Sequence, residues 1–243
     1  MKKVEKILLL GEKTFLIDKR QKKFHTEFGM FDLTKIKKYG QAIKTNTGKK
    51  FYAVEPTIID LMKKSRRMPQ IVTAKDAAQI AAVTGLSSGW RCLDFGGGSG
   101  FLAMFIANIV KPGGAVTTYE KNPEYAKNIS KNVNFCGLNS IVTVKNTDAK
   151  KFTENDLDLI TMDVIDAEKY VKKCHSSLKP GGWLCVYSPH IEQQKKSVDR
   201  MKKYFTHIKT IETIQRNWQV SEYTHPVPSQ LVHTGFMTFG RRA

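Results

Sequence analysis

Residues 94–100 read Asp-Phe-Gly-Gly-Gly-Ser-Gly and join an apolar run at 90–93 to a helix-like run at 101–110. A strand that passes straight into a helix must reverse within a few residues, and glycines there supply positive φ and let a ligand approach the backbone. A turn with no ligand could be built with one glycine. Gly96, Gly97, Gly98 and Gly100 fall in five residues, at an entropic cost such a turn would not require. The segment reads as a nucleotide-cofactor loop in a βα unit, with Ser99 completing it.

The next apolar run, 115–119, ends on Glu120, followed by Lys121. A carboxylate about 20 residues after such a loop can accept hydrogen bonds from ribose hydroxyls, a rule that NAD and S-adenosylmethionine both satisfy. Here Gly96, Gly98 and Gly100 alternate, unlike Gly-x-Gly-x-x-Gly, and the loop is preceded by Asp94. An acid at that point can meet a cationic amino-acid group, which suits S-adenosyl-L-methionine and suits a pyrophosphate poorly.

Strand and helix signals alternate around the loop: helix 74–84 behind a Thr73 cap and ended by Gly85, strand 91–95, helix 101–110, strand 115–119, helix 123–135, strands 141–145 and 157–162, helix 167–177, strand 183–187 and helix 192–204. Such alternation implies an α/β fold with a mostly parallel sheet. Lys-Pro-Gly-Gly occurs at 111–114 and 179–182, each time read as a helix stop. After 204 two strands, 208–215 and 231–239, predict a hairpin closing the sheet edge. The first part differs, with β-like runs at 7–10, 14–17, 42–44 and 51–54 and a hairpin signal at Asn46-Thr47-Gly48. The expected organisation is a small β-rich domain over 1–56, a linker with a short helix over 57–72, and a catalytic domain over 73–243.

In an open parallel sheet the ligand lies beyond the carboxyl ends of the strands. Asp148, followed by the small Ala149, can accept from an adenine amino group or cap a turn. Asp163 ends the apolar strand 157–162, where a carboxylate serves chemistry or caps the next helix. Methyl transfer from a sulfonium needs an in-line electron pair and no enzyme nucleophile. If the acceptor is adenine N1, Asp163 is placed to orient the ring and stabilise the charge that develops.

Forty Lys and Arg against 22 Asp and Glu leave a formal charge of +18, and the sequence pI is near 9.7. Clusters stand at Lys35, Lys37 and Lys38, at Lys63, Lys64, Arg66 and Arg67, at Lys195, Lys196, Arg200, Lys202 and Lys203, and at Arg241 and Arg242. Such an excess attracts polyanions, although charge runs are also common on solvated helix faces. Cys92, Cys136, Cys174 and Cys185 are scattered without a Cys-x-x-Cys pair, and the histidines are dispersed. Reduced buried thiols and no metal are expected. No apolar stretch reaches 18 residues and the first residues lack a signal-peptide core, so a cytoplasmic protein with no membrane partner is expected.

These residues resemble a known family, the tRNA (adenine-58-N1) methyltransferases in their archaeal form and eukaryotic catalytic subunit. The resemblance runs through Phe24-His25-Thr26 with Gly29, Arg66-Arg67-x-Pro-Gln70-Ile71-Val72, Lys75-Asp76, the glycine loop, Tyr119-Glu120, Leu178-Lys179-Pro180-Gly181-Gly182, Tyr187-Ser188-Pro189, Glu192-Gln193 and Val232-His233-Thr234-Gly235-Phe236. It implies a class I, Rossmann-like methyltransferase domain behind a small barrel-like domain, working as a homotetramer on the T-loop of tRNA. Asp163 then matches the catalytic aspartate, and Gln70, Ile71, Val72, the loop 96–100, Glu120 and Asp148 match cofactor contacts. Archaeal members also act on adenine 57, a choice this sequence leaves open. One departure stands out: the family usually follows its aspartate with Leu-Pro-x-Pro, and here Val164, Ile165, Asp166 and Ala167 follow. Without those prolines the chain does not encode a rigid turn there.

Overall fold

The computed structural model describes residues 6–68 and 71–243. They form two compact units, one reaching to Arg66 and including Asn134–Gly137, the other made of Arg67–Val133 and Leu138–Ala243.

In the first unit, β1 (Lys6–Leu10), β2 (Thr14–Asp18), β5 (Gln41–Lys44) and β6 (Lys50–Val54) form an antiparallel sheet in the order β2-β1-β6-β5, and β3 (Lys23–Thr26) pairs with β4 (Gly29–Asp32) as a separate ribbon. Among the described residues no ladder joins the ribbon to the sheet. Alternation sets the core: Ile7, Leu9, Ile43, Phe51 and Ala53 pack inward with Phe31. The Asn46-Thr47-Gly48 signal forms the β5–β6 turn, with Gly48 at φ +89°. Helix α1 (Ile58–Lys64) starts at a reciprocal cap in which the Thr57 amide donates to Asp60 Oδ2 at 2.9 Å and the Asp60 amide donates to Thr57 Oγ1 at 3.3 Å. The segment expected as a linker is therefore divided, since α1 groups with the first unit and buries Met62.

The second unit contains α2 (Ala74–Thr84), β7 (Arg91–Phe95), α3 (Phe101–Val110), β8 (Ala115–Tyr119), α4 (Pro123–Phe135), β9 (Val142–Lys145), β10 (Leu157–Met162), α5 (Val171–Ser177), β11 (Leu178–Ser188), α6 (Ile191–Met201), β12 (Thr206–Glu212), the two-residue strands β13 (Trp218–Gln219) and β14 (His225–Pro226), and β15 (Phe236–Arg241). Its seven-stranded sheet runs β12-β15-β11-β10-β7-β8-β9. The five strands from β11 to β9 are mutually parallel, and β15 is antiparallel to both its neighbours. This is the expected α/β sheet with a C-terminal antiparallel hairpin. From β7 the chain moves outward through β8 and β9, then crosses to β10 and β11, so the order reverses between β7 and β10. A crevice opens at such a switch point.

Three local expectations are corrected, and one ribbon is added to them. The helix expected over 167–177 is a short 3-10 turn, Ala167–Lys169, followed by α5, with Asp166 entering at φ +60° and Tyr170 joining the two, its ring edge-on to Phe95 at 6.1 Å between centroids. The second Lys-Pro-Gly-Gly lies inside β11 as a bulge: register passes from Leu157 opposite Leu178 to Leu159 opposite Trp183, and Gly181 and Gly182 exchange hydrogen bonds with Arg242. The last strand starts at Phe236 rather than 231, since Thr234 and Gly235 are engaged in side-chain contacts instead. The ribbon β3–β4 was hidden because each strand is only four residues long.

Candidate active site at the sheet switch point

The glycine loop leaves β7 and lies against the end of β10. Gly96 has φ +82°, and a Cβ there would collide with the backbone carbonyl of Asp163, while the Asp163 amide donates to the Phe95 carbonyl at 3.0 Å. Backbone packs on backbone, leaving no room for a side chain. A Cβ on Gly97 would meet Thr118 Oγ1 at 2.5 Å and Ile129 Cδ1 at 2.6 Å. The cradle thus depends on glycine both for conformation and for clearance.

Glu120, at the end of β8, is buried and braces this loop. Its Oε2 accepts from the Gly98 amide at 3.1 Å and its Oε1 from the Asn122 amide at 2.8 Å. A carboxylate offers about four lone-pair sites, so two bonds fix its orientation and leave capacity for a pair of hydroxyls. Gly96, Glu120, Lys121, Asp148, Ala149 and Asp163 all line one cavity of about 640 Å³. Asp148 caps a turn, its Oδ1 accepting from the Lys150 amide at 2.9 Å at the start of a 3-10 turn, and the residue also lines the cavity.

Asp94 lies lower, almost fully buried, and its carboxylate is held by two hydroxyls. Thr161 donates to Oδ1 at 2.7 Å and Thr118 to Oδ2 at 2.9 Å. Burial raises its pKa, and the two hydroxyl bonds oppose that rise. Asp94, Ile71, Val72, Ser99 and Asp163 border a smaller crevice beside the main cavity. Ser99 Oγ accepts from the Met68 amide at 2.6 Å. Gln70 lies outside the described residues.

Asp163 is half-buried, and no hydrogen bond reaches its carboxylate among the described residues. Burial, and secondly the neighbouring Asp94, push its pKa up to about 7. A desolvated acid with spare acceptors, bordering both cavity and crevice, is equipped to receive a donor from a ligand. No cluster of three or more His, Cys, Asp or Glu that could hold a metal occurs among the described residues. All four cysteines are buried free thiols.

Residues 53–235 match the family model described as tRNA methyltransferase complex GCD14 subunit. The tRNA (adenine(57)-N(1)/adenine(58)-N(1))-methyltransferase TrmI of Methanocaldococcus jannaschii is 32% identical, with 96% of this chain and 94% of that protein covered. The chain belongs to the GCD14 family. The structure of TrmI from Aquifex aeolicus, a tRNA (m1A58) methyltransferase, superposes with a TM-score of 0.81 at 27% identity, covering 100% of this chain and 98% of that one. A SAM-dependent O-methyltransferase of Thermotoga maritima superposes with a TM-score of 0.86 at 34% identity, covering 100% and 94%.

In this GCD14-family member the turn after Asp163 is made without proline. Asp166 takes the left-handed conformation, and its carboxylate receives Lys169 Nζ at 2.7 Å. Ile165 is 79% exposed and, with Val164 and Tyr170, borders the cavity.

The motifs that carried the resemblance without a role form a buried network. Lys75 Nζ donates to Asp76 Oδ1 at 2.7 Å, to the Thr213 carbonyl at 2.5 Å and to Thr234 Oγ1 at 2.7 Å; Thr234 Oγ1 donates in turn to Asp76 Oδ2 at 2.6 Å. The Tyr187 hydroxyl donates to the Thr234 carbonyl at 2.7 Å, and Gly235 packs on the Tyr187 ring, where a Cβ would come within 2.5 Å. Sequence reasoning also missed Asn122 and Tyr125 on the cavity wall. Asn122 was open to discovery, since an Asn just before Pro123 is a helix-cap signal, and its Oδ1 accepts from the Glu124 amide at 2.9 Å.

Proposed function

We propose that this chain is an S-adenosylmethionine-dependent tRNA methyltransferase acting on N1 of adenine 58 in the T-loop, with adenine 57 as a second acceptor to be assayed. The observation that carries this reading is Asp163, a half-buried acid whose carboxylate has no hydrogen-bond partner among the described residues, where the glycine loop meets the end of β10. The cradle fits the cofactor, because the glycines leave the backbone bare and Glu120 keeps acceptor capacity beside it. Glu120 serves the ribose, Asp148 and Ala149 the adenine, and Gln70, Ile71, Val72 and Asp94 the amino-acid end, with Lys121 at the rim.

Bound S-adenosylmethionine supplies a methyl group made electrophilic by its sulfonium charge. The ionised Asp163 accepts a hydrogen bond from the exocyclic amino group of the target adenine, aligns N1, and stabilises the positive charge that the ring gains. Val164, Ile165 and Tyr170 offer apolar and aromatic surface to a base drawn out of its stack.

A homo-oligomer is proposed on the exposed apolar side chains of the segment before β15, among them Trp218, Val220, Tyr223 and Leu231, and the family resemblance alone suggests that it is a tetramer. No helix among the described residues is long and apolar enough to cross a membrane, and a cytoplasmic location is proposed.

One second reading has a specific motive, the similarity to an O-methyltransferase. Labelled methyl transfer to unmodified tRNA, followed by nucleoside analysis, separates the two. 1-Methyladenosine is the expected product; a ribose-methylated nucleoside, or no transfer to tRNA, would favour an oxygen acceptor.

A further inference from the structure

The face of the four-stranded sheet that turns away from the Phe31–Phe51 core is covered at Leu8, 4% exposed, and lies open only at its other end. Alternation in β6 turns Phe51 and Ala53 inward and Lys50 and Tyr52 outward. Register then sets Tyr52 opposite both Leu10 of β1 and Ala42 of β5, so these three side chains form a row across three strands. Tyr52 is 44% exposed and Leu10 37%. Next to that row Lys44 stands opposite Lys50, both exposed.

Two like charges directly opposed on adjacent strands destabilise a sheet. Neither lysine has a carboxylate partner among the described residues, and the Lys50 ammonium instead lies 5.0 Å from the centroid of the Tyr52 ring. The repulsion is retained in a unit that is already strongly basic. Residues 1–66 hold 17 Lys and Arg against 7 Asp and Glu, a formal excess of ten out of the chain's +18. Packing explains neither the aromatic ring nor the paired charges. A polyanion with flat rings satisfies both, because bases and riboses stack on an aromatic platform while flanking phosphates take up the lysines.

We propose that the open end of this face, formed by Leu10 of β1, Lys50 and Tyr52 of β6 and Ala42 and Lys44 of β5, is a tRNA-contacting surface. Tyr52 stacks an exposed base of the tRNA, and Lys44 and Lys50 hold the phosphates beside it. The proposal rests on tRNA being the acceptor. It assigns this face to anchoring, so its loss raises KM for tRNA and leaves the methyl-transfer step alone.

The test uses the full chain and unmodified tRNA transcript, with binding measured over a range of salt for Lys44→Glu, Tyr52→Ala and Tyr52→Phe. For Lys44→Glu, tRNA affinity should fall at least about tenfold and the slope of log affinity against log salt should become shallower by about one. Its unfolding midpoint should stay level or rise, because a carboxylate opposite Lys50 replaces repulsion by attraction. That opposition of stability and binding is a result that structural damage cannot produce. Tyr52→Ala should weaken binding about fivefold or more, with Tyr52→Phe near the unaltered protein, whereas an acidic protein partner would require the charges alone. Affinities within about twofold for both Lys44→Glu and Tyr52→Ala would overturn the proposal. Absence of tRNA binding by the unaltered chain would overturn the tRNA function and this face with it.

Discussion

Lys75 and Asp76, adjacent in sequence, form a buried ion pair at 2.7 Å whose remaining valences reach Thr213 and Thr234. The ammonium donates three hydrogen bonds, its full complement. The pair therefore ties the start of α2, and with it Ile71 and Val72, to the segment entering β15. Removing one partner strands the other in a dry site.

Asp76→Ala should lower unfolding free energy by about 3–5 kcal/mol, read from urea denaturation. Thr234→Val should cost about 1–3 kcal/mol and raise KM for S-adenosylmethionine, because the Ile71–Val72 wall of the crevice loses its anchor. An unchanged KM with lowered stability would confine the network to folding.

Gly96 combines positive φ with a missing Cβ that would otherwise strike the Asp163 carbonyl. Gly96→Ala should cost about 1–3 kcal/mol in stability, and its larger effect should fall on cofactor binding, since the loop must retreat from β10. Calorimetry should show S-adenosylmethionine affinity reduced by roughly tenfold or more. Affinity equal to that of the unaltered chain would mean the loop does not form the cradle.

Asp163 links the site to stability. In the fold it keeps its proton up to about pH 7, whereas its ordinary value is 3.8. Between those values the native state binds more protons than the unfolded state, so this group's contribution to stability is lost as pH rises from about 4 to about 7. Asp163→Asn removes the penalty. Urea denaturation should show the variant more stable at pH 8 by on the order of 2–4 kcal/mol and nearly equal at pH 4. A variant no more stable at pH 8 than at pH 4, relative to the unaltered chain, would show that the carboxylate is not strained by burial.

Much of the catalytic unit was legible because its signals are local. The run from β7 through α4 follows clean periodicities with a cap or stop at each junction, so Phe101–Val110 and Pro123–Phe135 were readable to the residue. What escaped depends on distant partners. Asp94 read as a ligand group, and what stayed hidden is that Thr118 and Thr161, 24 and 67 positions away, each donate to one of its oxygens. Residues 231–235 read as strand by composition, but Thr234 is drawn to Asp76, 158 residues earlier. The bulge at 179–182 was invisible because it answers to the register of β10. The turn after Asp163 shows the reverse, since the missing prolines left a rigid turn unencoded and a left-handed Asp166 with a Lys169 contact shapes the turn without them.

On the proposed function, the Asp163 carboxylate acts on adenine in the methyl-transfer step. Single-turnover transfer to tRNA, at saturating S-adenosylmethionine and across pH 5.5–8.5, tests it by comparing the unaltered chain with Asp163→Asn. The predicted result is a rate for the unaltered chain that rises with pH as the carboxylate ionises and a rate for Asp163→Asn lower by roughly 10²-fold or more, with tRNA binding retained and that rise abolished. A rate for Asp163→Asn within about threefold of the unaltered chain, with 1-methyladenosine still the product, would contradict the account.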